Sequence, residues 1–545
     1  MKSEYNLLDE RWIIVTRLDG NLEKVSLLEL FQNAHIYKSF DGECETQNIS
    51  IIRLCLAVLT TVISRFDLEG KNNPIEDDID ATTRWGEWWN RKSFPIRIIS
   101  EYLEQYRFRF YLFDEQYPFY QDASVGQELA MEYKKVTGKK RIADVSTGYY
   151  PLTKLIGNLS ESANKKRLFK AADKNSIEFD EAARWLINYM NTADKPEKKP
   201  TPKNCGIIGE MGCVYCQGKS IFETLMLNLI PGADGSYVEK PEWEKTSPTG
   251  NNEEIFPSSK SELYTFQIRR LFLDRRENLI VGFKSKAGMC YNSLPLWEPM
   301  TMWRIQSKNS IEEIRPKHHD PSVVMWRNLS LLLASTNDSR KPEVIRWIET
   351  LENQDIFDSN YSLSIKTAGI EYGSMSSSIS NTFYDSLSFS AVIIREQEKN
   401  EQSNILKILE LTNDVADRFA YFCGVLYVAQ GGDKEGESGV RRKSKSRMYS
   451  ALDLPFRRWL LKVGTEYITA GQIENSWWEI IQRISLHLAD EEIRKMPVEA
   501  MIGKMIWDEK KKKNMIYSGA KALEDFHYEI SKPDRVKEVK NGKKK

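Results

Sequence analysis

The chain is poor in the residues on which most single-site chemistry is built. In 545 residues it carries seven cysteines and five histidines. An odd number of cysteines without regular spacing gives no disulfide framework and fits a reducing cytoplasm. Charge of one sign is also missing: 78 Lys and Arg stand against 78 Asp and Glu. That balance argues against a generic nucleic-acid coat, which is basic throughout, and leaves room only for local patches. The start, Met1-Lys2-Ser3-Glu4, shows no secretory signal pattern. The most apolar window, Ile49 to Phe66, is interrupted by Arg53 and Arg65 and falls short of a comfortable membrane span. It reads as a buried core helix, so no membrane partner is expected. No internal period is visible. An HExxH helix, a Gly-x-Ser-x-Gly elbow and a correctly spaced dinucleotide fingerprint are all missing from the sequence. Catalysis and cofactors have no visible home in it.

What is present is ample core. Hydrophobic residues make up 41% of the chain, with 14 Trp, 24 Tyr and 22 Phe, which excludes global disorder and supports two or more domains. Near the N-terminus, Trp12 to Val15 is a short β run and Gly20-Asn21 a turn. Ser26 and Glu29 then have the spacing of a capping box for a helix over 27–34. Helical periodicity also marks 49–66, 179–189 and 220–228. Strand-like runs are 107–112, 262–272, 279–283, 300–305, 361–366 and 383–394. Asp194 to Lys203 holds three prolines and must be a loop.

Beyond Arg395 the pattern becomes almost wholly helical, over 405–426, 448–463, 473–488 and 521–530, with turns at 431–439 and Gly464. The expected fold class is α+β: a large mixed α/β domain over 1–395, then a four-helix bundle over 396–531. Residues 532–545 form a basic tail.

Several constellations could carry chemistry. Gly212 to Ser220 mimics a phosphate-binding loop but has five residues between its glycines where four are needed. Cys205, Cys213 and Cys216 form a Cys-x7-Cys-x2-Cys cluster whose last pair has zinc spacing. The nearest histidines along the chain are His35 and the His318-His319 pair, so a metal would need a remote fourth ligand. His318-His319-Asp320 lacks the partners of a metal phosphohydrolase and reads as a loop before Pro321. Basic clusters occur at 134–141, 165–167, 441–447, 510–513 and 543–545, and a solvated face explains any one of them.

Gly206, Gly209 and Gly212 recur at every third position. Such spacing leaves backbone N–H groups open to a phosphate or a base edge, or else serves a loop that needs positive φ. Ser374-Met375-Ser376 lies between two β runs. As a hairpin tip it could wedge into a groove, with Met375 as an apolar plug between base steps.

Blocks spread along most of the chain resemble the CasA family, the large subunit of the type I-E CRISPR surveillance complex Cascade. They are Asn6 to Trp12 with Ser26 to Phe31, Leu112 to Asp122, Glu181 to Trp185, Ile221 to Leu229, and the helical last quarter. The resemblance implies a non-catalytic, RNA-guided subunit without cofactor. It would recognise the protospacer-adjacent motif (PAM) in double-stranded target DNA, start duplex opening and R-loop formation, and help recruit a helicase–nuclease. Its other partners would be the crRNA 5′ handle region and the backbone, small and handle-binding Cascade subunits.

By the same resemblance, Asn164, Lys165, Lys166 and Arg167 sit in a loop near the handle and the PAM. Gly206 to Gly212 matches a glycine loop at the minor groove, and Ser374, Met375 and Ser376 match the wedge. The chain departs from the family pattern in offering serines and a methionine where some members have Gln and Asn. Two other readings stay open from sequence: a zinc-dependent nuclease on the cysteine cluster, and a helical scaffold without DNA contact.

Overall fold

The computed structural model describes residues 4–157, 174–194, 205–232, 239–245, 257–289, 298–308, 311–317, 323–333, 339–358, 361–372, 379–395, 399–508, 513–534 and 536. They group into two compact units. The first comprises residues 1–323, 335–351 and 364–386, the second 324–334, 352–363 and 387–545.

In the first unit, β1 (Ile13–Arg17) turns at Gly20, with φ near +90°, into β2 (Leu22–Val25). Helix α1 (Leu27–Asn33) follows directly. Its cap is the one read from sequence: Glu29 N donates to Ser26 Oγ at 3.1 Å and Ser26 N to Glu29 Oε2 at 2.9 Å. β3 (Tyr37–Phe40) closes an antiparallel sheet of order β2-β1-β3.

Helix α2 (Glu45–Arg65) is the post around which this unit is built; every residue from Thr46 to Ser64 is buried. Among the described residues it is the one helix long and apolar enough to cross a membrane, and protein encloses it on all sides. Full burial puts a cost on unpaired polar groups, and several of this helix's polar side chains are paired. Ser50 and Thr61 donate to carbonyls one turn back. Arg53 forms a two-pronged pair with Glu298, at 2.6 and 3.1 Å, both side chains 1% exposed. Burial pulls the guanidinium's pKa down, and the Glu298 charge more than reverses that.

Against α2 lies α3 (Phe179–Thr192). Its buried Arg184 reaches Glu43, Asp180 and the Trp12 carbonyl. Then come α4 (Ile207–Met211), β4 (Cys213–Gln217), the hairpin β5 (Arg269–Arg276) and β6 (Leu279–Ala287), and the long pair β7 (Ser362–Tyr372) and β8 (Ile379–Ser390). Strands pair in the order β8-β7-β4, with Ala368 opposite Cys213 and Ser364 opposite Gln217.

Two strand expectations are corrected. Residues 107–109 form a 3-10 turn, and the strand is only Tyr111–Phe113. Arg107 is held by Asp9 and Glu104, and Arg109 by the Lys245 carbonyl. The run 262–272 starts inside a short helix, Lys260–Tyr264, which Ser259 caps through Glu262 N, and becomes strand only from Arg269.

The second unit carries the bundle: α5 (Lys399–Ala429), α6 (Lys434–Leu460), α7 (Ala470–Arg494) and α8 (Gly519–Glu529). The turn expected over 431–439 is shorter than that. Asp433 caps α6 through Gly436 N at 2.7 Å, so Gly436 and Gly439 lie inside the helix. Between α7 and α8 the chain makes a hairpin that periodicity had not revealed, β9 (Lys504–Asp508) and β10 (Lys513–Tyr517).

Aromatic side chains fill the bundle, with Phe422 on Phe526 at 5.0 Å and Trp477 against Phe456 and Trp459 at 5.0 and 5.2 Å. Trp326, from before the bundle, stacks on Phe456 at 4.3 Å and donates to Asp453. That packing explains why residues 324–334 belong with the helices.

The Arg53–Glu298 pair yields a stability test. Glu298→Ala is expected to cost on the order of 3–5 kcal/mol by stranding a buried charge, whereas Arg53→Met with Glu298→Leu costs far less. Urea denaturation of the full chain measures both, and equal losses would contradict this account.

Candidate nucleic-acid interface

The site is best built from the C-terminal end of α3. Thr192 ends the helix and Ala193 N still donates to the Tyr189 carbonyl. After residues 195–204, Gly206 N returns to the Ala193 carbonyl at 2.8 Å. Gly206 packs so closely that a Cβ there would overlap the backbone of Asn191 and Thr192. Gly209 lies inside α4, and a Cβ there would overlap the Tyr372 hydroxyl. Gly212 ends α4 at φ near +74°, a left-handed conformation that favours glycine, and its N–H donates to the Ile208 carbonyl.

Of the two readings the sequence left open, Gly212 fits the one that needs a positive φ, and Gly206 and Gly209 are glycine because of close packing. All three glycines are buried, and the N–H groups of Gly206 and Gly212 are spent on protein carbonyls. Gly206 permits close approach of the Asn191–Thr192 backbone, and Gly209 admits Tyr372, whose hydroxyl donates to the Thr192 carbonyl at 2.9 Å while resting on Gly209.

Tyr372 is the last residue of β7, and Ile379 is the first of β8. Between them lie Ser374, Met375 and Ser376, outside the described residues. Ile379 is itself buried, and its Cδ1 lies 3.7 Å from where a Gly157 Cβ would be, with Asn188 of α3 on the same spot at 3.8 Å. Gly157 is the last described residue before 158–173, the stretch holding Asn164, Lys165, Lys166 and Arg167. So the described ends of three segments meet at the last two turns of α3. These are Gly157, the pair Ala193 and Gly206, and the pair Tyr372 and Ile379. Sequence reasoning had picked each segment separately. It had not picked Tyr372, Gly157 or Asn188, which join them over long separations, 180 residues between Tyr372 and Thr192 and more between Gly157 and Ile379.

Two side chains fix this end electrostatically. Asp194, 4% exposed, pairs with Lys154 at 2.9 Å, and its carbonyl accepts from Arg269. Lys154 Nζ also lies over the Tyr150 ring at 5.1 Å.

The cysteine cluster does not assemble as a chelate. Cys213 and Cys216 both lie on β4, three residues apart, so their side chains leave opposite faces of the strand. A Cys-x2-Cys pair needs a turn to converge on one ion. Cys213 Sγ rests against Met300 Sδ at 3.7 Å, and the Cys216 backbone is bonded on both sides by Asn228. Among the described residues no group of three or more His, Cys, Asp or Glu is placed to hold a metal. Burial raises both thiols, Cys216 up to about 12. His318, His319 and Asp320 lie outside the described residues.

The fold is that of a Cse1-type protein. It superposes on Thermobifida fusca Cse1 with a TM-score of 0.79 at 22% identity, covering 98% of each chain. On Cse1 from Acidimicrobium ferrooxidans the score is 0.75 at 21% identity, again over 98% of each. A chain described as a CRISPR RNA-guided surveillance complex gives 0.67 at 14% identity, over 97% of this chain and 99% of that one. A Thermus thermophilus relative, CRISPR-associated protein CasA/Cse1, is 26% identical over 349 residues, which span 61% of this chain and 60% of that protein. The family model for CRISPR-associated protein Cse1 matches residues 6–488. The chain belongs to the Cse1 family, also called CasA.

Two tests follow from the geometry. Gly209→Ala is expected to destabilise by about 1–3 kcal/mol through overpacking, and adding Tyr372→Ala recovers part of that loss. Thermal denaturation of the three variants checks it, with a neutral Gly209→Ala as the contrary result. Native Cys213 and Cys216 are expected to resist iodoacetamide at pH 8, because the thiolate is the nucleophile and burial suppresses it. Both react in denaturant. Mass-spectrometric labelling of either in the native chain would contradict the burial argument.

Proposed function

We propose that this chain is the large, non-catalytic subunit of a type I-E Cascade, working in the cytoplasm. In this role it recognises the PAM of double-stranded target DNA, promotes local opening and R-loop formation, and helps recruit the helicase–nuclease. Its partners are the crRNA 5′ handle region and the other Cascade subunits. Family membership supports this, and the observation that carries it is the meeting of three chain segments at the end of α3. One ends in the stretch with Asn164, Lys165, Lys166 and Arg167. One is the Gly206–Gly212 segment, and one brackets Ser374, Met375 and Ser376.

The division of labour is physically coherent. Lys165, Lys166 and Arg167 hold phosphates and fix register, and Asn164 reads a base edge. Minor-groove readout near the Gly206–Gly212 segment is degenerate, so it tolerates several PAMs while guide pairing carries the sequence information. Met375 enters between base steps as an apolar plug. Opening the first step costs about 1–2 kcal/mol of stacking, which a wedge and a few phosphate contacts can offset. Gly209 contributes by letting Tyr372 dock on α4, Gly206 by letting the chain close on the end of α3, and Gly212 by ending α4 at a positive φ. A zero net charge suits a subunit that protein neighbours hold on the DNA.

In assembled complex, Lys165→Ala with Arg167→Ala is expected to flatten the slope of log Kobs against log salt by about 1.8, since each phosphate contact contributes about 0.9. A bulky residue at Gly209 is expected to weaken binding of PAM-bearing duplex while assembly stays intact. Gel shifts across salt concentrations test both. An unchanged slope removes the phosphate role, and unchanged affinity of the Gly209 variant removes the role of the docked hairpin.

A further inference from the structure

The second unit contains a basic groove that the recognition model does not use. Its walls are one turn of α5, with Asp417, Arg418 and Tyr421, and one turn of α6, with Arg441, Arg442 and Lys445. The groove is open, with a volume of about 430 Å³, within the range of small-ligand clefts. Four cations face one carboxylate.

Two of those cations are committed to the bundle. Lys445 pairs with Asp417 across the two helices, and Arg441 pairs with Glu437 one turn back. Arg418 and Arg442 enter no ion pair among the described residues. The Nε atoms of Arg418 and Arg441 are buried without an acceptor. A buried guanidinium N–H left unpaired is costly and calls for an anion or water in the structure that uses it. Beside them Tyr421 keeps 46% of its surface exposed, with the Arg441 guanidinium 4.7 Å from its ring centroid. Planar guanidinium forks match phosphate oxygens, and an exposed aromatic ring next to them offers a stacking surface for a base.

We propose that this groove binds the phosphate of a nucleotide unit, with Arg418 and Arg442 as its donors and Tyr421 as the platform for its base. The same chemistry is supplied by a free nucleotide or by one residue of a single strand. An acidic protein segment would satisfy the cations but not the exposed ring.

The test uses the full chain and fluorescence anisotropy with three probes: a labelled 20-nucleotide oligo(dT), a labelled deoxynucleoside triphosphate, and a labelled polyglutamate of 20 residues. Arg418→Gln with Arg442→Gln, residues that hold no ion pair of the bundle, is expected to weaken the phosphate probes at least tenfold at low salt. For oligo(dT) it also flattens the salt slope by about 1.4, at about 0.7 per phosphate on a single strand. Tyr421→Leu is expected to weaken them at least fivefold, and neither variant shifts the melting temperature. Losses confined to oligo(dT) assign the site to a strand, and losses on the triphosphate assign it to a free nucleotide. The proposal is overturned if neither phosphate probe binds, if the variants bind as wild type does, or if polyglutamate binds equally well.

Discussion

The first unit depends on keeping one buried guanidinium charged in its centre. Arg53 sits midway along a helix that protein surrounds, and Glu298 is what permits it to stay charged there. The same carboxylate also accepts from Met300 N, and the Met300 carbonyl accepts from Val214 on β4. Through β4 the constraint passes to β7, whose last residue is Tyr372. The polar core and the candidate interface are thus consecutive links of one hydrogen-bonded path. A helix of this kind could have been made wholly apolar at less desolvation cost, but it would not have fixed the register of the segment that begins β4.

Glycine shows how one motif can serve several causes. Residues 206, 209 and 212 stand out in the sequence because glycine at every third position suggests bare backbone. In the fold the missing side chains make room for Asn191, Thr192 and Tyr372, and the amides of Gly206 and Gly212 are already bonded to protein. Proximity decides the roles of Gly206 and Gly209: with a side chain at Gly209, Tyr372 could not rest on α4 with its hydroxyl on the end of α3.

Local chemistry was legible in the sequence, and pairing across long separations was not. The Ser26–Glu29 cap, the buried helix around Arg53 and the helical last quarter follow from spacing alone. The run 262–272 misled because alternation of apolar residues outweighed a capping serine just before it. Gly436 and Gly439 misled because glycine inside a helix is costly but tolerated once Asp433 supplies the cap. The β9–β10 hairpin went unseen because Lys510 to Lys513 reads as a solvated run. At the interface, resemblance to CasA supplied the segments; nothing in composition or periodicity links Gly157 to Ile379 or Gly209 to Tyr372. Cys213 and Cys216 have a spacing that suits a metal only in a turn, and a strand cancels it.

The partners of Arg53 and Glu298 are 245 residues apart along the chain. During synthesis the acid therefore leaves the ribosome roughly 12–50 s after the base, at translation speeds of about 5–20 residues per second. Throughout that interval Arg53 is without its carboxylate. The first unit closes later still, because its residues run on to Ser386 and β7 must pair with β4.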